Sequence, residues 1–435
     1  MHIHSRRLRV LAAALVAWCG GAVAQPHGPA PSAMAAAPTL TPAPQPAAAL
    51  DLQAAIALAL ERHPLLRAAQ HDVAAGQADV DQAGRLANPE LAWLREGERA
   101  GSRTTTVQVN QPIELGGKRG ARVRLAEGEL ALADAELALR RQAIRADVID
   151  TYCAVLAARE RQQLADAMTA LAARGSSVAS SRVAAGKVSP IEAAKARLAQ
   201  AEAKAEGERA LAELAVARTQ LAQLLGAAAV ERPLVPIDAD ALPEAEPLDA
   251  LLRRGLDAAA EVRRARGRLA VQRARIDVER AARIPDVTLS VGSQRDDQAG
   301  RRQAVVGIAV PLPLFDRNGG RLTAARERGA SAEAELEAAR DAARAELAAA
   351  HARYVQARAE AQLLERDVVP EARAVHDLTL KGFEYGKFGF LDVLDAQRTW
   401  FQVRSRSWQA LRDAWRARAE LERVAGPAQP FSKAP

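Results

Sequence analysis

The sequence predicts a mainly α-helical chain with a small β part, laid out as a duplicated unit of helix, two strands, long helix and return helix. Three observations lead there. Hydrophobic residues make up 49% of the 435 residues but aromatics only 3%. The apolar content is therefore mostly alanine, which favours helices and is too small to fill a thick core. Period-two alternation is confined to short stretches bounded by Pro and Gly. The same order of signals then recurs about 200 residues later. A compact α/β enzyme does not fit this composition, and long, thin helical layers do.

The elements follow in order. Residues 1–24 read as a signal peptide, with Arg6, Arg7 and Arg9, an apolar run over 10–17 and the small-x-small Ala22-Val23-Ala24. Cleavage after Ala24 lowers the formal net charge from +7 to +4 and removes Cys19, leaving Cys153 as the single cysteine. Trp18 stands where lipidation of Cys19 would need a small residue. The apolar run is shorter than the ~20 residues that span a bilayer, and no later stretch reaches that length free of charges. A chain like this crosses a membrane only as a closed β-barrel.

Residues 25–49 form a Pro/Ala-rich flexible arm. The first repeat covers 50–230: a helix over 51–87, strands at about 89–97 and 103–111, the turn Leu115-Gly116-Gly117-Lys118, a long helix to Gly186, and a return helix from Pro190 to Gly226. A proline-rich linker occupies 231–247. The second repeat covers 248–425: a helix over 248–283, strands at about 286–294 and 302–310, a turn at Gly319-Gly320-Arg321, a long helix to Gly386 and a return helix over 390–425. Residues 426–435 are a tail. Ile284-Pro285-Asp286-Val287 echoes Asn88-Pro89-Glu90-Leu91, and Gly386-Lys387 echoes Gly186-Lys187.

Helix arithmetic suggests the packing. The long segments, 118–186 and 320–386, each reach about 100 Å at ~1.5 Å per residue. The return helices cover only about half of that, and 51–87 and 248–283 match the missing length, so they are expected to stack end to end with the return helices. Two leucine series, Leu125-Leu132-Leu139 and Leu130-Leu137-Ile144, face directions ~140° apart. A helix with two seams packs between two neighbours, as in a closed ring of helices; an ordinary antiparallel bundle satisfies the periodicity equally. Gly175-Ser176-Ser177 and Pro370 either interrupt the long helices or bend them.

In the strands, Thr104, Thr106, Gln108, Asn110, Thr288 and Ser290 make a polar face, with Thr105, Val107, Val109, Val287, Leu289 and Val291 on the other. Trp93 is either an interfacial aromatic or a packed one. Four strands cannot close a barrel, for which about eight is the minimum, so strands that meet lipid require an oligomer.

These residues carry a resemblance. The duplicated layout resembles the TolC-like outer-membrane efflux family over about 50–425. So do the turn Gln111-Pro112-Ile113-Glu114-Leu115-Gly116-Gly117-Lys118-Arg119, the run Val310-Pro311-Leu312-Pro313-Leu314-Phe315-Asp316, and Gly386-Lys387-Phe388-Gly389-Phe390-Leu391-Asp392-Val393-Leu394-Asp395-Ala396. The Leu-Gly-Gly-Lys-Arg turn is most similar to the heavy-metal, CzcC-like branch. The resemblance implies a homotrimer in outer-membrane lipid, with a twelve-stranded β-barrel continuing into a periplasmic α-helical barrel. It also implies two partners, a periplasmic adaptor (membrane fusion protein) and an inner-membrane RND-type pump.

By the same resemblance, Gly186, Lys187, Gly386, Lys387 and Phe388 lie at an adaptor-facing tip, and Asp392, Asp395 and Glu192 line a periplasmic aperture. Carboxylates from three copies around one opening attract cations. Without the resemblance, Asp392 and Asp395 read as helix-dipole partners on a solvated surface. Phe388 stands where some members carry a tip arginine, so a lock built on that arginine is not expected. Phe383, Tyr385, Phe388 and Phe390 either gate apolarly, meet an adaptor or pack between helices.

Other candidates carry less. His2, His4, His27, His63, His71, His351 and His376 contain no pair at metal-ligand spacing on one helix face, and no metal site or cofactor is expected. Cys153 reads as a buried small hydrophobe, and Trp400, Trp408 and Trp415 as a core stripe. The arginines over 253–283 read as a solvated face or as phosphate contacts near the membrane; export argues against nucleic acid. No nucleophile-base pair or phosphate loop is present, so an enzyme is not expected. The leading function is a passive exit duct of a tripartite efflux pump, with heavy-metal cations as candidate substrates. The alternatives are a duct for type I protein or peptide secretion and a soluble periplasmic coiled-coil scaffold.

Overall fold

The computed structural model describes residues 49–97, 103–237, 239–385 and 387–425. The signal peptide, nearly all of the arm, Gly386 and the tail lie outside the described residues. Helix α1 (Leu52–Arg62) begins at Asp51, whose side chain accepts from the Ala54 N–H at 2.7 Å. A second helix, α2 (Pro64–Ala83), follows at once. The single helix expected over 51–87 is therefore two, because Pro64 lacks an N–H and holds His63 in an extended conformation.

Strands β1 (Glu90–Glu96) and β2 (Thr104–Ile113) lead to α3 (Lys118–Ala184), which runs 67 residues without a break through Gly175, Ser176 and Ser177. Gly175 and Ser176 are buried in it. Helix α4 (Pro190–Leu225) returns antiparallel, followed by the short α5 (Ala227–Val230). In the second repeat the helix expected over 248–283 is again divided, into α6 (Leu248–Gly255) and α7 (Ala260–Ala281). No proline causes this break. Gly255 docks on the end of the last helix, where an added Cβ would sit 3.2 Å from the Ala425 Cα. Ala259, 3% exposed, then turns the chain in an extended conformation to start α7.

Strands β3 (Val287–Asp296) and β4 (Arg301–Ala309) precede α8 (Gly319–Leu363), α9 (Val369–Glu384) and α10 (Phe390–Ala425). One wide π-helical turn, Leu364–Val368, joins α8 to α9. It lies just before Pro370, which cannot donate to the preceding turn, so the helix widens instead of ending. The Glu365 carboxylate in that turn accepts from Arg404 at 3.0 Å and from the Ser407 hydroxyl at 2.7 Å.

The four strands form one antiparallel sheet in the order β1-β2-β3-β4, so the central pairing joins the two repeats. Val109 lies opposite Val291, and Asn110 opposite Ser290. Leu91, Trp93, Val107, Val109, Val291, Val306 and Ile308 share one face and are all exposed. The Gly292 backbone passes so close to Val107 and Gln108 that a Cβ there would collide with them. At the foot of the sheet Gly116, at φ 69°, presses on Ile284, where a Cβ would come within 2.8 Å. The adjoining Lys118 ammonium reaches Asp286 at 2.7 Å, and the Leu115 N–H donates to the same oxygen at 3.1 Å.

Both leucine seams of α3 are occupied. Leu130 packs on Gly76 of α2, and Leu132 on Gly267 of α7, so α3 lies between two neighbours along its first half. Along its second half α4 takes over, through Arg161 to Glu206 at 2.7 Å and the Thr169 hydroxyl to the Ala203 carbonyl at 3.0 Å. Helix α10 packs along α8 in the same manner through Arg353–Glu420 at 3.0 Å and Arg406–Glu360 at 3.1 Å. The arginines of α7 mostly form ion pairs, with Arg275 to Glu129 of α3 and Arg273 to Glu333 of α8. The main core lies where α1, α3, α8, α10 and the linker meet. Tyr152 and Tyr354 are fully buried there, and their hydroxyls hold the linker at the Val235 and Pro243 carbonyls, at 2.7 and 2.6 Å.

Candidate functional site

The turns that join each long rod to its return helix repeat one another in detail. At the end of α3, Gly186 adopts φ 67°, and the Lys187 N–H returns to the Arg182 carbonyl at 2.9 Å. At the end of α9 the Lys387 N–H makes the matching bond to Gly382 at 2.7 Å. Gly386, the counterpart of Gly186, lies outside the described residues. Ser189 caps α4, its hydroxyl accepting from the Ile191 N–H at 3.3 Å, with Pro190 at the first helical position. Lys187, Glu192 and Lys387 are exposed, as are Ile191 and Tyr385.

Phe388 is 49% exposed, with one side of its ring against the Gly382 backbone. It thus joins turn packing to surface exposure. Asp392 turns back to its own helix end, where Oδ2 accepts from the Gly389 N–H at 2.8 Å. Asp392 thus takes the helix-dipole position expected of it, whereas Asp395 lies beyond the first turn of α10. The Asp392 carboxylate still faces solvent.

Asp392 and Asp395 are brought together along one groove of about 860 Å³ between α10 and α4, floored by α3. Lys195 and Glu202 line its far wall, and Arg398 crosses it to Glu202 at 2.6 Å. Glu192 does not line this groove. The Arg398–Glu202 tie escapes sequence reasoning because 196 residues separate its partners. Among the described residues no group of three or more His, Cys, Asp or Glu side chains is placed to hold a metal ion. The groove sets Asp392, Asp395, Glu202 and Glu206 against Arg161, Lys195 and Arg398, so its lining is nearly balanced in charge.

No described helix is long and apolar enough to cross a membrane. Among the described residues the apolar exposed strand surface is one face of the four-stranded sheet. An open sheet with one greasy and one polar face, set on helices about 100 Å long, has the strand pattern of part of a membrane β-barrel. Comparison with known proteins gives the class its family. Residues 55–227 and 251–427 match the outer membrane efflux protein family. The chain is 42% identical to the cobalt-zinc-cadmium resistance protein CzcC of Cupriavidus metallidurans, over 86% of this chain and 90% of that one. It is 31% identical to the nickel and cobalt resistance protein CnrC of the same organism, over 66% and 69%. The outer membrane protein VceC of Vibrio cholerae shares the fold at a TM-score of 0.69 and 23% identity, over 86% and 96% of the two chains. The chain belongs to the outer membrane efflux protein family.

Proposed function

We propose that this protein is the exit duct of a tripartite pump that expels heavy-metal cations. Three copies close a twelve-stranded barrel in the outer membrane, and their helices continue it as a tunnel through the periplasm. An RND-type pump in the inner membrane supplies the energy, and a periplasmic adaptor docks at the turns carrying Lys187, Lys387 and Phe388. The signal peptide, residues 1–24, is removed on export. One observation carries the reading: β1 and β4 are the two edges of an apolar-faced sheet too small to close by itself, so each edge needs a strand from another copy. The 42% identity to CzcC supports metal cations as the cargo.

In this reading Asp392 and Asp395, with Glu192 of the first repeat, ring the periplasmic opening and favour cations over anions. Native mass of the detergent-extracted outer-membrane fraction tests the assembly. A trimer is expected, and a soluble monomer would refute the duct. Deletion of the chain should sensitise cells to cobalt, zinc or cadmium, and unchanged metal tolerance would remove the metal assignment. In planar bilayers, Asp392→Asn with Asp395→Asn should lower cation-over-anion preference several-fold while the trimer persists; unchanged selectivity would remove the two aspartates from the aperture.

A further inference from the structure

Charge at the hairpin ends of the sheet is sorted by face. The register sets Arg95, Thr105, Arg295 and Arg302 side by side in one cross-strand row. The adjacent row, Glu96, Thr104, Asp296 and Arg301, lies on the opposite face with both of its acids. The arginine row is on the apolar face. Trp93, 63% exposed, sits directly beneath Arg95 on that face.

The row lies at a defined depth. From Val287 at the foot of β3 to Arg295 the strand climbs about 27 Å at ~3.4 Å per residue, or about 21 Å of height at a ~40° tilt. An outer-membrane barrel carries an apolar band of about 25 Å, so a row about 21 Å above the foot lies just below the band's upper edge, where long arginine side chains reach up to the headgroups. Trp93 marks the same boundary. The hairpin ends point away from the helices, so this is the outer leaflet.

The charge of the row is balanced at only one of its three arginines. Arg295 and Arg302 are directly opposite one another, an arrangement that repels. Asp297 takes the Arg295 Nε at 3.0 Å. Among the described residues no carboxylate lies within ion-pair distance of Arg95 or Arg302. Three guanidinium forks over a greasy surface, at headgroup depth, suit an anion with several oxygens that is itself attached to acyl chains.

We propose that Arg95, Arg295 and Arg302 bind the phosphate groups of a phosphorylated outer-leaflet lipid and fix the barrel's height in the membrane. The proposal rests on the barrel reading above, since only a closed barrel turns this face to lipid. Native mass spectrometry of the full chain in detergent tests it, with three probes: bis-phosphorylated lipid A, its phosphate-free derivative and inorganic phosphate. Lipid A adducts should survive on the trimer and fall at least tenfold in R95Q/R295Q/R302Q. They should be unchanged in Arg301→Gln on the opposite face. Should the triple variant fail to assemble, each single glutamine variant should show a several-fold loss.

Equal adducts on wild type and variants, or on the phosphate-free derivative, would overturn the proposal. Displacement by millimolar inorganic phosphate would overturn the lipid assignment, because a free anion would then suffice. A wild-type chain that forms no trimer refutes the barrel itself, and this proposal with it; a trimer without adducts refutes only the lipid site.

Discussion

Arg412 of α10 and Asp150 of α3 form a two-pronged ion pair across the boundary between the repeats, Nε to Oδ1 and Nη2 to Oδ2, both at 3.0 Å. Further along α10 the buried Glu422 takes Arg418 of its own helix at 3.0 Å and Arg145 of α3 at 2.9 Å, which makes a second tie between the repeats. Hydrogen bonding to Asp150 raises the Arg412 pKa above its usual value. Alanine-rich helix faces supply little contact area. Parallel hydrogen bonds with fixed geometry therefore set which turn of α10 meets which turn of α3.

Arg412→Ala should cost about 1 kcal/mol, since both side chains are about a third exposed and solvent screens the pair. A double-mutant cycle with Asp150→Asn, read by urea unfolding in detergent, should return a coupling of similar size. Strictly additive losses would mean that the pair does not hold the repeats together.

Alkaline pH should weaken the core around Tyr152 and Cys153. Burial pushes the Cys153 thiol from 9.0 up to about 12 and raises the Tyr152 hydroxyl as well. The unfolded chain therefore loses these protons first, so stability is full below about pH 9 and falls between pH 9 and 12, by at most about 1.4 kcal/mol per pH unit per group. Cys153→Ala should flatten that slope. The native thiol should also resist alkylation at pH 8.5 until urea exposes it; prompt labelling of the folded protein would contradict its burial.

Tyr152→Phe keeps the ring and removes the hydroxyl that lies 2.9 Å from the Leu50 carbonyl and 2.7 Å from that of Val235. The loss should be about 1–3 kcal/mol, because two carbonyls in the core lose a donor. Limited proteolysis within the 231–247 linker should quicken in parallel. A linker equally resistant in both proteins would show that the tyrosine does not anchor it.

At the tip, Gly382→Ala would drive a methyl group into the Phe388 ring. The ring must then leave its seat, at a cost of about 1–3 kcal/mol. Trypsin cleavage after the exposed Lys387 should become several-fold faster. An unchanged rate would mean that the ring does not order this turn.

The duplication and the seams of α3 were legible because both are periodic: Leu130 and Leu132 belong to two series in the sequence, and they meet Gly76 and Gly267 on two different helices. The break at His63-Pro64 was written in the sequence as a proline after an extended residue, although the flanking periodicity suggests one helix. The break at 255–259 was not, because its cause is the contact of Gly255 with Ala425, 170 positions away. Pairing across the repeats, Arg412 with Asp150 or Arg398 with Glu202, has no local signal at all. Asp392 shows the remaining limit. Its place in a first turn suggests a cap, and the bond to Gly389 is that cap, but only packing brings it to the same groove as Arg398.

The π turn at Leu364–Val368 makes the two rods mechanically unequal. In the first repeat, force applied at the Gly186 turn is carried by an unbroken hydrogen-bond ladder from Ala184 back to Lys118. In the second, the ladder changes register 16 residues before the Lys387 turn, and a helix bends most easily where its ladder is interrupted. Load placed on the two turns alike therefore deflects α9 as a short lever about a hinge at Pro370, while α3 answers as a stiff strut.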